Sequence, residues 1–399
     1  MVHQISRRQA LSIATGAGLV AATGCGAVPA ARAISKNGTQ AIGTRASGTQ
    51  ANVGGRLIWR AQVAASTDEP VLITAGGLVY AGSSAAANGD ARTYAISAAT
   101  GRLAWRTSGS AGPRPYAASP DAVFGFAVTR GGATDVVATS AASGHTLWTH
   151  DAGPLLNNAK VGWLTYGGGL VYVAAGTTEN NTAGQPTVRA LDARTGRRVW
   201  ALTLGTGPQE PTLAGGVLYT PDDPSGLAGP GRVAALHAST GARRWTSALL
   251  AGAPGLLVVT GGAVCGTALT ATAGASIFAL DSGTGRRLWQ RKFGALTVGG
   301  TDGMVFLMPL SIGGPATLSA WHARTGRTAW SRSLPSAAGA IAAGGVLYLA
   351  VGRTLTALTP ATGSTLWSYQ LGATVADVTA SGNTVYALDA HGGVYALRT

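Results

Sequence analysis

Short runs of apolar residues, many of them alternating with polar positions, are separated along this chain by glycine-containing turns. In the stretch VRALDARTGRRVW, from Val188 to Trp200, an apolar run of strand length precedes Thr-Gly, and the second segment ends on Trp. Such a pattern predicts two strands joined by a tight turn, because glycine accepts a positive φ without steric cost. A second hairpin, joined by Gly-Gly or a near equivalent, lies upstream of most copies, as in ITAGGLVYAG at 73–82. The pattern therefore predicts four strands per unit.

The unit recurs along most of the chain. In seven copies the turn glycine stands four residues before a tryptophan; the pairs are Gly101 and Trp105, Gly144 and Trp148, Gly196 and Trp200, Gly241 and Trp245, Gly285 and Trp289, Gly326 and Trp330, and Gly363 and Trp367. An eighth pair with this spacing is Gly55 and Trp59. A period of about 40–50 residues is typical of stacked or radial repeats, and four strands per unit is typical of a propeller blade. We therefore expect an all-β fold, an eight-bladed β-propeller of four-stranded antiparallel blades.

The C-terminal unit is incomplete. Its sequence, DVTASGNTVYALDAHGGVYALRT, supplies three strands and contains no tryptophan. We expect the N-terminal segment 55–60 to provide the missing outer strand, which would close the ring and remove an exposed sheet edge. The predicted propeller domain is thus 55–399.

The repeat, with Ala-Leu-Asp-Ala followed by x-Thr-Gly-x-x-x-Trp, resembles that of the quinoprotein-like β-propellers, the PQQ-repeat family. Asp192, Asp281 and Asp389 match the family's aspartate, and the tryptophans from Trp105 to Trp367 match its docking tryptophan. The resemblance covers roughly residues 55–399 and implies eight blades. In size and layout the chain is also similar to exported propeller lipoproteins. Because one fold hosts many functions, the resemblance alone does not decide between an enzyme and a binding module.

The first 33 residues predict an export signal. SRRQAL at 6–11 resembles the twin-arginine motif, and a weakly apolar region follows. Two processing sites compete: a small-residue cleavage site ending at Ala33, and an imperfect lipobox in which Cys25 would be lipidated. Residues 34–54 are small and polar and predict a flexible linker.

Basic residues give the chain a formal net charge of +14. Many of them follow the turn glycine, and we call this set the turn arginines: Arg102, Arg197, Arg198, Arg243, Arg244, Arg286, Arg287 and Arg327. One interpretation is a set of solvated turns that keep outer strands from pairing with other chains. The alternative is attraction to an anionic membrane surface or an acidic wall polymer. Nucleic acid is not an expected partner, since the chain is predicted to be exported and lacks an aromatic-and-basic strip.

Blade topology predicts two unlike faces. Strands alternate in direction, so the Gly-Gly and Thr-Gly turns lie on one face, here called the short-turn face. The second connection of each blade and the links between blades lie on the opposite, long-loop face. Those connections are long and irregular, as at 83–91, 107–120, 149–160, 176–186, 221–231, 267–275 and 309–315. Irregular loops on a rigid scaffold favour recognition, so we expect a partner there.

The resemblance implies, for dehydrogenases of the family, a quinone held with calcium, a catalytic aspartate and usually two adjacent cysteines. This chain has 15 acids and 2 cysteines, Cys25 and Cys265, which are not adjacent. The acidic cluster Asp222-Asp223, between two prolines, is interpreted as a rigid turn, and His237 and His322 as replacements at the repeat's Asp position. His150-Asp151 is interpreted as a chance pair. No catalytic, cofactor-binding or metal-binding residue is predicted.

We therefore expect an exported, lipid-anchored or secreted monomer that acts as a non-catalytic binding or scaffolding module at the cell envelope. Its partner would be a protein or an envelope polymer. One alternative is a PQQ-dependent sugar or alcohol dehydrogenase, which would need PQQ with calcium. A second is an envelope polysaccharide-binding or sensor module.

Overall fold

A computed structural model describes twelve stretches of the chain: 54–64, 70–82, 92–107, 114–128, 133–154, 163–175, 187–204, 211–222, 230–270, 274–309, 315–336 and 339–399. Every regular element within these stretches is a β-strand. The predicted signal, including Cys25, and almost all of the predicted linker lie outside the described residues.

Strand β1 (Leu57–Gln62) comes first and belongs to the last blade. The next sixteen strands form blades 1 to 4: β2 (Val71–Ala75), β3 (Leu78–Gly82), β4 (Thr93–Ser97) and β5 (Leu103–Arg106); β6 (Arg114–Ala118), β7 (Ala122–Val128), β8 (Ala133–Ser140) and β9 (Thr146–Pro154); β10 (Trp163–Gly167), β11 (Leu170–Ala175), β12 (Thr187–Asp192) and β13 (Arg198–Thr203); β14 (Thr212–Ala214), β15 (Val217–Asp222), β16 (Arg232–His237) and β17 (Arg243–Thr246).

The remaining strands form blades 5 to 8: β18 (Ala253–Thr260), β19 (Ala263–Thr270), β20 (Gly274–Asp281) and β21 (Arg287–Lys292); β22 (Ala295–Thr301), β23 (Met304–Pro309), β24 (Ala316–His322) and β25 (Thr328–Leu334); β26 (Gly339–Ala343), β27 (Val346–Val351), β28 (Thr354–Leu358) and β29 (Thr365–Gln370); β30 (Val375–Ser381), β31 (Thr384–Asp389) and β32 (Gly393–Arg398), with β1 added at the edge. The predicted all-β fold of eight four-stranded antiparallel blades is confirmed.

Strand β1, the first described strand, pairs with β32, the last one. The pairing is antiparallel, with Arg60 opposite Tyr395 and Gln62 opposite Gly393. The guanidinium of Arg60 lies 5.0 Å from the centre of the Tyr395 ring, a cation–π contact that adds to the backbone ladder. The N-terminal strand and the C-terminal strand thus share one sheet.

Tight turns connect the first two strands and the last two strands of the blades. At Gly215 and Gly216, for example, φ is +55° and +73°, the left-handed region that only glycine enters at little cost. The turn glycine before each outer strand also has positive φ, as at Gly241 with +72°. In blades 1 to 7 the pairing of the last two strands is shifted by a β-bulge at a corresponding position, for example between Ala235 and Leu236.

Each outer-strand tryptophan contacts the turn of the next blade. Trp200 Nε1 donates a hydrogen bond of 2.9 Å to the Ala238 carbonyl, and its ring covers Gly241, where a Cβ would lie 2.7 Å from two ring carbons. The same donation, at 2.6–3.1 Å, joins Trp59 to Ala98, Trp105 to Ala141, Trp148 to Ala193, Trp245 to Ser282, Trp289 to Ala323 and Trp330 to Pro360. Trp367 packs on Gly54 and Gly55, just before β1. Blade-to-blade contact is therefore repeated around the ring.

An aromatic residue on the second strand supports this tryptophan from inside the blade. In seven blades the ring centres lie 5.8–6.2 Å apart, in the pairs Tyr80–Trp105, Phe124–Trp148, Tyr172–Trp200, Tyr219–Trp245, Phe306–Trp330, Tyr348–Trp367 and Tyr386–Trp59. Blade 5 differs, because its residue at this position is Cys265. Trp321 of blade 6 takes the aromatic role there, 6.0 Å from Trp289.

Over the stretches that the structure describes, no helix has the length and apolar character needed to cross a membrane.

Candidate functional site

The two faces of the ring differ in the segments they carry. The short-turn face holds the compact glycine turns described above. The long-loop face holds the remaining connections, most of which lie outside the described residues. The parts that are described there include 63–64, 247–252, 293–294, 352–353 and 371–374. These segments are the described edge of the predicted recognition face.

Leu249 is the described residue of this face that most resembles a partner contact. It lies in the link between blades 4 and 5 and leaves 46% of its surface exposed. The other large exposed apolar side chains, Ile58, Leu147, Val199 and Leu366, each precede a docking tryptophan on an outer strand. Those four follow from strand alternation, since the neighbouring tryptophan points inwards. Leu249 has no such explanation, and its irregular segment gave no sequence signal.

The inner strands surround a central cavity of about 370 Å³. Six inner strands line it, namely β2, β14, β18, β22, β26 and β30. The lining is mostly apolar or glycine, with Leu72, Leu213 and Ile341 as typical members, and the polar side chains are Thr212, Asp377 and Thr379. A cavity of this size can hold a small ligand or several waters, with backbone groups as the main hydrogen-bonding partners.

Asp377 is the carboxylate in the wall of this cavity. It is 7% exposed, and its Oδ2 accepts a 2.7 Å hydrogen bond from the Leu72 amide of blade 1. Its Oδ1 accepts a 2.8 Å bond from the Val378 amide. The carboxylate therefore joins the inner strands of blades 8 and 1. Sequence reasoning missed it, although an acid in the otherwise uncharged inner strand VADVTAS was a usable signal.

The aspartates that match the PQQ repeat have structural contacts. Asp281 Oδ1 accepts bonds of 3.1 Å and 3.0 Å from the Thr284 amide and hydroxyl. The hydrogen bond from the Thr284 side chain holds the pKa of Asp281 below its usual value. Asp192 is arranged in the same way with Thr195, which also lowers the pKa of Asp192. These carboxylates stabilise the turns on which tryptophans dock.

Asp389 occupies a different setting. It is 2% exposed, and its Oδ1 accepts bonds from the His391 and Gly393 amides at 3.0 Å and 2.7 Å. The Tyr395 hydroxyl donates to its Oδ2 at 3.0 Å, and burial raises the pKa of Tyr395. This carboxylate shapes the last hairpin of the chain.

The other sequence candidates are not brought together. His237 and His322 are exposed at the ends of β16 and β24. His150 lies on β9, where burial, followed by the charge of Arg189, lowers its pKa. Cys265 is fully buried, and burial raises the pKa of its thiol to about 12, so it is unreactive at neutral pH.

Asp222 forms an ion pair of 2.6 Å with Arg243, while Asp223 lies outside the described residues. Within the described ranges, no group of three or more His, Cys, Asp or Glu side chains is placed to hold a metal ion. Calcium takes six to eight oxygen ligands, and Asp377 already accepts two backbone hydrogen bonds. The described residues of the cavity therefore do not fit a quinone–calcium centre.

These features define a class, the eight-bladed propellers whose blades dock through a tryptophan and a turn glycine. The chain matches the family model described as outer membrane protein assembly factor BamB over residues 44–184, 184–307 and 314–399. It therefore belongs to this family of PQQ-repeat propellers, and the resemblance seen in the sequence is confirmed.

Solved structures share the fold at low identity. BamB from Moraxella catarrhalis aligns with a TM-score of 0.54 and 16% identity over 85% of this chain and 98% of that chain. The computationally designed Ika8 protein aligns with a TM-score of 0.60 and 15% identity over 85% of this chain and 98% of that chain. Quinohemoprotein alcohol dehydrogenase from Comamonas testosteroni aligns with a TM-score of 0.56 and 16% identity over 86% of this chain and 76% of that chain. Such identities show the fold alone, and no curated protein matches the chain in sequence.

Proposed function

We propose that this protein is a non-catalytic binding module of the cell envelope, exported and anchored through a lipid at Cys25, and monomeric. It uses its long-loop face to bind a protein partner. Family membership carries the proposal, because the matching family model is that of an outer membrane protein assembly factor. The difference between the two faces supports the choice of surface.

Leu249 is our candidate contact within that face. Burying this exposed leucine against a partner would remove apolar surface from water, and aspartate at its position would place a charge in the contact. Leu147 is the matched control, since it is exposed to a similar degree, at 53%, but lies on an outer strand. The segment around Leu249 also packs against the protein, since the Ala251 carbonyl accepts a 3.3 Å bond from Gln290.

The test is quantitative co-purification from envelope fractions with the full chain and its variants Leu249→Asp and Leu147→Asp. We expect a partner that co-purifies with the wild type and with Leu147→Asp, and whose recovery falls at least ten-fold with Leu249→Asp. Equal recovery with all three proteins would reject Leu249 as the contact. Equal loss of the partner with both variants would show that binding does not depend on the long-loop face in particular, and would reject the choice of that face.

A quinoprotein dehydrogenase is the second candidate, favoured by the shared fold with quinohemoprotein alcohol dehydrogenases. We propose that no quinone is bound, since the described cavity lacks a carboxylate cluster. Thermal unfolding of the full chain with and without PQQ and calcium tests this. A ligand at about 100 times its Kd stabilises the native state by about 2.7 kcal/mol, so a clear rise in Tm would favour the enzyme. A polysaccharide-binding role would instead give a rise in Tm with envelope glycans.

A further inference from the structure

The turn arginines are exposed on the short-turn face, opposite the proposed partner surface. They lie one to three residues after the turn glycines, with the greatest density on four successive blades. Blade 3 carries Arg197 and Arg198, blade 4 Arg243 and Arg244, blade 5 Arg286 and Arg287, and blade 6 Arg327, and all of these are exposed. Blade 1 adds Arg102. Because the blades repeat around a ring, these side chains begin at equivalent heights on one side of the molecule.

Most of these cations are not neutralised by neighbours. Arg243 turns to Asp222, with which it forms an ion pair of 2.6 Å. Across the described part of the chain, no carboxylate lies within ion-pair distance of the other turn arginines. The nearby aspartates Asp192 and Asp281 accept hydrogen bonds from their own turns. The short-turn face therefore presents a net positive field.

The opposite, long-loop side carries charges of both signs. The connections of the long-loop face contain six acids in segments outside the described residues, together with the two cations Arg130 and Lys160; the acids are Asp68, Glu69, Asp90, Glu179, Glu210 and Asp223. The described strand ends on that side carry further exposed cations, among them Arg106, Arg232 and Lys292. Cations that repeat on successive blades of one face, with mixed charges on the other face, orient the molecule on an anionic surface.

The polypeptide also enters the propeller on the short-turn face. Gly55 covers Trp367 in the way that a turn glycine covers the tryptophan of the preceding blade. Its amide donates a 2.7 Å bond to the Arg398 carbonyl at the end of β32. The chain therefore joins the ring at blade 8, on the same face as the turn arginines, and blade 4 lies opposite it in the ring of eight.

From these observations we infer that the short-turn face lies on the surface of an anionic phospholipid bilayer. A bilayer is planar, so it contacts arginines on several blades at once, whereas a single linear polymer follows only part of the ring. Each cationic side chain near an anionic bilayer raises the affinity about five-fold at physiological ionic strength. The long-loop face then points away from the membrane. This inference uses a different face from the proposed function and stands without it.

The experiment is co-sedimentation of the full chain carrying Cys25→Ser, so that no acyl chain contributes, with vesicles. The vesicles are phosphatidylcholine alone, or phosphatidylcholine with 30% phosphatidylglycerol. The test variant is Arg197→Gln/Arg286→Gln/Arg327→Gln, which removes one turn arginine from each of three blades. The control is Arg106→Gln/Arg232→Gln/Lys292→Gln, which removes three exposed cations at the long-loop ends of their strands.

We expect binding to the vesicles with phosphatidylglycerol only, and its loss at high salt, where exposed charges are screened. The test variant should bind roughly 100-fold more weakly, following the five-fold factor per charge, and the control close to normally. Matching thermal unfolding of the variants would show that they fold. Equal loss in both triple variants, or no binding to anionic vesicles, would overturn the inference. Binding to soluble poly(glycerol phosphate) without vesicle binding would overturn it in favour of a wall polymer.

Discussion

Replacing Gly241 by alanine tests the contact that holds neighbouring blades together. At this position φ is +72°, and an added Cβ would lie 2.7 Å from two ring carbons of Trp200. The left-handed backbone costs an alanine about 1–2 kcal/mol. The clash also displaces Trp200, which weakens a hydrogen bond of about 0.5–1.5 kcal/mol and an aromatic contact of similar size. We expect Gly241→Ala to lower the free energy of unfolding by about 2–5 kcal/mol in total.

Gly216 of the same blade is a matched control. Its φ is +73°, but an added Cβ meets nothing within 4 Å. Gly216→Ala should therefore cost only the backbone term of about 1–2 kcal/mol. Guanidinium unfolding followed by tryptophan fluorescence and circular dichroism measures both variants. In a Trp200→Ala background the extra cost at Gly241 should disappear. Equal destabilisation by the two alanines in the wild-type background would refute the docking argument.

Three further predictions concern single positions. Cys265→Tyr should lower the free energy of unfolding by about 1–3 kcal/mol through overpacking, and adding Trp321→Leu to the same chain should recover part of that loss. Urea unfolding measures both variants, and additive costs of the two substitutions would contradict the packing of Trp321 in place of the missing aromatic residue. The Cys265 thiol should resist Ellman's reagent in the native Cys25→Ser chain, because a pKa of about 12 leaves roughly one thiol in ten thousand ionised at pH 8, and rapid labelling without denaturant would contradict its burial. The pKa of Asp281 is lowered, so its carboxylate stabilises the fold above its ordinary pKa of 3.8, and this contribution is lost as the pH falls through the pKa of the folded state. Asp281→Asn should therefore lose less stability than the wild type between about pH 5 and about pH 3. A pH profile identical to that of the wild type would contradict this role of the carboxylate.

The repeat could be predicted from the sequence because its determinants are local. Thr-Gly turns, the four-residue spacing to tryptophan and the apolar runs each depend on neighbours in the chain. Eight such units leave few architectures other than a closed ring. The aromatic residue that supports each tryptophan was equally visible, three positions after the second glycine of the Gly-Gly turn, as at Tyr172 and Tyr219. It was missed because the tryptophans alone set the period.

Other features depend on contacts between distant residues. In blade 5, Cys265 stands where other blades have an aromatic residue, and Trp321 of blade 6 fills the space. This arrangement could be predicted only by knowing which strands of blades 5 and 6 face each other. Asp377 reaches Leu72 across 305 positions in sequence, and only ring closure brings them together. Leu249 lies in a link with no repeat pattern. Periodicity therefore does not locate this proposed contact.

The central claim, that a partner binds the long-loop face, is tested most directly by site-specific photo-cross-linking in cells. A photoreactive amino acid is placed at exposed long-loop positions, Ala64 and Ala248, and at exposed short-turn positions, Ala142 and Thr240. We expect both long-loop positions to cross-link to one and the same protein, and neither short-turn position to do so. Cross-links to that protein from the short-turn positions alone, or no protein cross-link from either long-loop position, would contradict it.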